Sequence, residues 1–155
     1  MKLFLSFTIL ICTLNSFVCP CKDKDLGEIN SLQYDKYDII FKGKVINIKK
    51  GNSSNTTTVI VEKFYKGTKI DTIVDILSTG AYGPCTINLK KDEIWLFYGY
   101  LKNEEIVTDL CTRTSSLNKN TKDTSSSVQR AKRDIIFLEK KVLTQKCYVK
   151  QLRKG

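Results

Sequence analysis

The stretch DIIFKGKVINIK, residues 38–49, decides how this chain is read. Ile39, Phe41, Gly43 and Val45 fall on one face at the two-residue period of a strand. Ile46 and Ile48 then take over the apolar pattern, which predicts a bulge near Val45. Gly43 in mid-strand marks a sharp bend or a close backbone approach, as in small barrels.

Outward from this strand the pattern repeats. GNSSN, 51–55, is a turn by composition, and 56–65 is a second strand rich in β-branched residues. Residues 71–79 form a third, with Ile73, Val74, Ile76 and Leu77 apolar, and a loop at 80–84 leads into Cys85. DEIWLFYGYL, 92–101, is the strongest strand and carries the single tryptophan. Its Trp95, Phe97, Tyr98 and Tyr100 could form a stacking surface, but aromatics alternating along a central strand read as core. A tight hairpin at 102–104 leads to a fifth strand, 105–110, ending at Cys111. Residues 21–37 read as irregular with one helical turn at 28–33, and the polar stretch 112–127 as a flexible loop. Ser126 or Ser127 caps a helix over 128–143, whose Ala131, Ile135, Leu138 and Val142 make one apolar stripe. The fold class predicted is all-β: a five-stranded barrel with a carboxy-terminal α-helix packed on it.

The amino terminus, MKLFLSFTILICTLNSFV, reads as a secretory signal: Lys2, an apolar run at 3–14, then the polar pair Asn15 and Ser16. The run is too short to span a bilayer, and no other segment reaches about 18 apolar residues. Cleavage before Cys19 and cleavage after Ser16 both fit. The chain then divides into a signal peptide (1–18), a domain (19–143) and a basic tail (144–155). The expected location is secreted or extracytoplasmic. A bacterial lipoprotein signal also ends before a cysteine, so Cys19 is a candidate lipid anchor. Asn52 and Asn55 stand in glycosylation sequons, which matter only in a eukaryotic host.

Six cysteines are present, and loss of Cys12 with the signal leaves five: Cys19, Cys21, Cys85, Cys111 and Cys147. An oxidising compartment favours disulfides, and an odd number leaves one thiol free, paired between molecules, or modified at Cys19. The formal charge is +10, with nine Lys or Arg against Asp134 and Glu139 over 129–155. That carboxy-terminal surface suits an acidic glycan, an anionic lipid or a cell wall, or is simply a solvated helix face; nucleic acid is not expected in this compartment. There is no histidine, which removes Ser-His-Asp and Cys-His catalysis and histidine-ligated metal sites. No phosphate or dinucleotide loop is present either. Neither an enzyme nor a cofactor is expected. A soft-metal or redox role for the Cys-x-Cys fits less well than a disulfide framework, since no Cys-x-x-Cys motif exists.

Several motifs in order resemble the netrin-type (NTR) module of the tissue inhibitors of metalloproteinases (TIMPs). They are Cys19-Pro20-Cys21 at the mature start, DIIFKGKVINI, VIVEKFYKG, GPC ahead of WLFYGY, and the cysteine of VTDLCTRT. The resemblance covers roughly 19–143 and implies a five-stranded OB-fold barrel. It also implies the disulfides Cys19–Cys85 and Cys21–Cys111. Its functional implication is inhibition of a zinc metalloproteinase. The Cys19 α-amine and carbonyl would chelate the peptidase's metal, Pro20 would face the primed-side pocket, and Cys21 and Lys22 would run along the cleft. Tyr82, Gly83 and Pro84 would form the second edge of the wedge. Pro20 stands where the family usually has Ser or Thr, and Cys147 has no counterpart in this pairing.

Overall fold

The structure is a computed structural model that describes Cys21 and residues 27–68, 71–79, 87–118 and 125–152. Its elements are α1 (Ser31–Lys36), β1 (Ile39–Lys50), β2 (Ser54–Lys66), β3 (Ile73–Thr79), β4 (Ile94–Lys102), β5 (Glu105–Thr108), β6 (Ser115–Ser116) and α2 (Ser125–Leu152). The strand order β1-β2-β3-β5-β4 closes on itself because β1 also pairs with β4. Pairing is antiparallel except between β3 and β5, which run parallel. The two-residue β6 adds to β4 at Trp95 and Leu96. The result is a five-stranded closed OB-fold barrel with the carboxy-terminal helix packed outside it.

β1 does most to close the barrel. It pairs with β2 along its length and with β4 over Ile39 to Lys44. Its register shifts at Ile40/Phe41, Lys42/Gly43 and Val45/Asn47, so the bulge lies where the change of apolar phase put it. Gly43 is a close approach: a Cβ there would lie 2.5 Å from Val59 Cγ1 and 2.7 Å from the Ile60 carbonyl oxygen. At the β4–β5 hairpin, Asn103 and Glu104 both take positive φ, 51° and 67°. That is the twist a two-residue hairpin requires.

Two cores share the same strands. The barrel interior holds Ile39, Phe41, Val45, Val59, Ile76, Trp95, Phe97 and Ile106, and Ile87 and Leu89 pack in the same cluster. The outer cluster holds Ile40, Tyr65, Leu96 and Tyr98 against Ala131 and Leu138 of α2, with Ile29, Tyr34 and Tyr37 from the amino-terminal segment. β1 and β4 are therefore buried on both faces, which is why DIIF and WLFY read as continuous apolar runs. Trp95, Phe97 and Tyr98 are core, as their alternation implied.

Three local readings are corrected. The turn expected at 28–33 is instead the helix Ser31–Lys36, started by Asn30, whose side chain accepts from Gln33 N at 2.9 Å. The stretch read as a flexible loop is buried through Thr112, Arg113, Thr114, Ser115 and Ser116. Its polar groups bond to one another and to the barrel, α2 and the amino-terminal segment. The helix runs from Ser125 to Leu152, well past 143, so Ser126 and Ser127 lie in its first turn rather than at its cap.

Candidate functional site

The site begins at the turn after β5. Asp109 Oδ1 accepts from the backbone N–H of Cys111 at 2.8 Å and of Thr112 at 2.9 Å. This side-chain turn presents Cys111 outward, and Cys111 is bonded to Cys21 with S–S 2.05 Å and Cα–Cα 5.2 Å. The bond joins residues 90 apart, so in the chain-entropy model it destabilises the unfolded chain by about 4.6 kcal/mol. Cys21–Cys111 is one of the two pairings the resemblance implied.

Two residues beyond Cys111 the same turn grips the amino-terminal segment again. Arg113 Nη2 donates to the Gly27 carbonyl at 3.0 Å, and Arg113 Nη1 approaches Gln33 Oε1 at 3.4 Å. The Arg113 backbone N–H donates to the Tyr37 hydroxyl at 3.2 Å. From the strand side, Lys66 Nζ donates to the carbonyls of Tyr34, Asp35 and Tyr37 at 2.8, 3.1 and 2.6 Å, ending α1. The chain from 21 to 37 is thus fixed at both ends against the barrel.

Arg113 is held by a buried carboxylate. Its Nε donates to Asp134 Oδ2 at 3.0 Å and its Nη2 to Asp134 Oδ1 at 2.8 Å, with both side chains 2% exposed. The Tyr98 hydroxyl donates to Asp134 Oδ2 at 2.8 Å. Burial alone disfavours the Arg113 charge, but Asp134 outweighs it and holds the guanidinium pKa above its usual value. Burial, reinforced by Asp134, pushes the Tyr98 hydroxyl far up, and burial raises Tyr37 to about 12. Both tyrosines stay neutral donors or acceptors at ordinary pH. Beside them, the Thr108 and Thr114 hydroxyls donate to the Tyr98 carbonyl at 3.0 and 3.1 Å. The Thr112 hydroxyl donates to the Asp109 carbonyl at 2.8 Å.

This network is a clamp: it holds a fixed charge and neutral phenols and presents no group poised to attack a substrate. Cys21 is the one proposed contact residue placed by the structure. Cys19, Pro20, Lys22, Tyr82, Gly83, Pro84 and Cys85, and with them the Cys19–Cys85 bond, lie outside the described residues. Among the described residues no cluster of three or more Cys, Asp or Glu could hold a metal ion. No described helix is long and apolar enough to cross a membrane. A disulfide of this kind points to an oxidising, extracytoplasmic setting.

Arg113 and Asp134 were missed by the sequence reading. One signal was present: Asp134 stands between Ala131 and Leu138 at spacings of three and four, on the apolar face of α2. A carboxylate in that position calls for a buried cation.

The fold and the anchored terminus together define a disulfide-tethered OB-fold barrel with a carboxy-terminal helix. No protein-family model matches the chain, and no curated protein does.

Proposed function

We propose that the protein is an exported netrin-type module that inhibits a zinc metallopeptidase through its amino-terminal cysteine, as TIMPs do. The observation that carries the reading is the Cys21–Cys111 bond, made by the second cysteine of Cys-x-Cys to the turn after β5. It places the anchor two residues from Cys19, and the Arg113 grip on Gly27 fixes the chain on the other side. An anchored terminus loses little freedom on entering a cleft, so more of its contact energy is kept as affinity.

A catalytic zinc keeps one open position for water or substrate. The Cys19 α-amine, with an ordinary pKa near 8, supplies a neutral nitrogen at neutral pH, and the Cys19 carbonyl supplies the second donor. Together they displace the catalytic water. Pro20 meets the primed-side pocket, Cys21 and Lys22 follow the cleft, and the loop Tyr82, Gly83, Pro84 forms the second edge, tied by Cys19–Cys85. The metal belongs to the peptidase, so the chain itself needs none.

The test is titration of the mature chain against a panel of zinc endopeptidases, before and after acetylation of the α-amine. The expected result is stoichiometric inhibition of at least one peptidase, lost on acetylation while the thermal transition is unchanged. Inhibition that survives acetylation, or none across the panel, overturns the proposal.

A further inference from the structure

Two surface features on opposite sides of the barrel complement each other. The first is a cleft of about 660 Å³ on β3, β5 and the β4–β5 hairpin. Its floor carries Ile73 and Leu101, 55% and 44% exposed. Its charged lining side chains are all carboxylates: Asp71, Asp75, Glu104 and Glu105. This is an acidic, partly apolar pocket on a chain with 26 Lys and Arg against 16 Asp and Glu. Asp75 accepts from the Thr58 hydroxyl at 2.7 Å, and the other three carboxylates make no ion pair among the described residues. Lys102 stands opposite Glu105 in the hairpin register, outside the lining.

The second feature is the ridge of α2 that faces away from the barrel. Leu138 and Ala131 point inward, so the residues half a turn away point to solvent. Ile136 and Leu143 lie there, 71% and 63% exposed and one heptad apart. Lys132, Arg133 and Lys140 flank them, all exposed and without ion pairs among the described residues. Of the two acids of α2, Glu139 is already paired with Lys63 at 2.6 Å and Asp134 with Arg113 at 2.8 Å. α2 covers β1 and β4, whereas the cleft opens on β3 and β5, so one molecule cannot join the two.

We infer that the α2 ridge of one copy docks into the acidic cleft of a second copy. Ile136 and Leu143 cover Ile73 and Leu101, while Lys132, Arg133 and Lys140 face Asp71, Glu104 and Glu105. The contact joins two different patches, so it is head-to-tail and builds chains or a closed ring rather than a two-fold dimer. The charge pairs set register and association rate, and the apolar pairs supply the buried core of the contact. The inference is independent of what the amino terminus binds.

The test is sedimentation velocity of the full mature chain over a concentration series, in dilute buffer and at ~1 M salt, where charges are screened beyond about 3 Å. The wild type is expected to self-associate in dilute buffer and to dissociate in high salt. Two charge-reversed variants follow: K132E/R133E/K140E on the ridge and D71K/E104K/E105K in the cleft. Each alone should associate at least about tenfold more weakly, which corresponds to ~1.4 kcal/mol. An equimolar mixture of the two should associate again, because each variant then offers the surface the other needs. These positions are exposed, and unchanged thermal transitions verify that the variants fold. A wild type that stays monomeric throughout, or variants that fail to rescue each other, overturns the inference. So does a monomer whose ridge binds phosphatidylglycerol vesicles or heparin in a manner lost in K132E/R133E/K140E.

Discussion

The two faces of β4 are built from different chemistry. Inside the barrel, Trp95 and Phe97 meet Phe41, Ile39 and Ile76, and every member of that cluster is apolar and non-titrating apart from the indole N–H, which donates to Glu93 Oε2 at 3.0 Å. Outside, Leu96 and Tyr98 meet α2 through a layer that also contains the Arg113–Asp134 pair, the buried Tyr34, Tyr37 and Tyr65, and a set of threonine hydroxyls. Dispersion and water exclusion hold the interior, and each atom lost costs in proportion. The outer layer is held by matched partners, and losing one strands another in a site without water. The first kind of core degrades gradually. The second fails at single positions, and it is the one that fixes the amino-terminal segment.

The contrast should be largest at Asp134. Asp134→Asn keeps the shape but leaves Arg113 charged and unmatched, and should cost about 3–5 kcal/mol in urea unfolding. Replacing both partners, Arg113→Met with Asp134→Leu, should recover most of that loss, because neither charge then has to be desolvated. A loss below about 1 kcal/mol for Asp134→Asn would show that water reaches the pair. Next is the covalent anchor. Cys111→Ser should lower stability by about 2–4 kcal/mol, read from the denaturation midpoint. The barrel spectrum, dominated by Trp95, should stay native-like at low denaturant.

Alkaline titration separates the two layers in another way. Burial raises Tyr37 and Tyr65 to about 12, against about 10 for a tyrosine in the unfolded chain. Both states are protonated below pH ~10, so the contribution is intact there. Between pH ~10 and ~12 the unfolded chain releases protons that the folded chain keeps, and stability falls by up to about 1.4 kcal/mol per pH unit for each tyrosine. Tyr65→Phe should flatten part of that fall, measured as the midpoint of urea unfolding against pH. The smallest effect belongs to the barrel interior. Ile76→Val, at a fully buried position, should cost about 0.5–1.5 kcal/mol and leave the alkaline slope unchanged.

The difference between the layers also decides what could be read from the chain. The barrel was legible because its interior repeats every second residue: Ile39, Phe41 and Val45 on β1, Trp95 and Phe97 on β4. The bulge after Val45 appeared as a change of apolar phase, whereas the Cys21–Cys111 bond was implied only by the resemblance to the netrin-type module and not by the cysteine spacing itself. The clamp was hidden because its bonds join residues far apart. TRTSS at 112–116 has the composition of a solvated loop, yet its partners are Tyr98, Asp134, Gly27 and Tyr37. Local composition carries no trace of such partners. The extension of α2 past Leu143 is hidden for a simpler reason: Thr144, Gln145 and Lys146 are polar and exposed, so they do not continue the apolar stripe.

Zinc chelation requires the clamped chain to end in a cysteine with a free amine. It is tested most directly by amino-terminal sequencing and unreduced intact mass of the mature, exported protein. The expected product is a chain that starts at Cys19, carries no added group, and is lighter than its reduced form by two hydrogens for each of the two bonds Cys19–Cys85 and Cys21–Cys111. A start upstream of Cys19, or the mass of a lipid on it, would contradict zinc chelation and leave an anchored or secreted binding module on the same barrel.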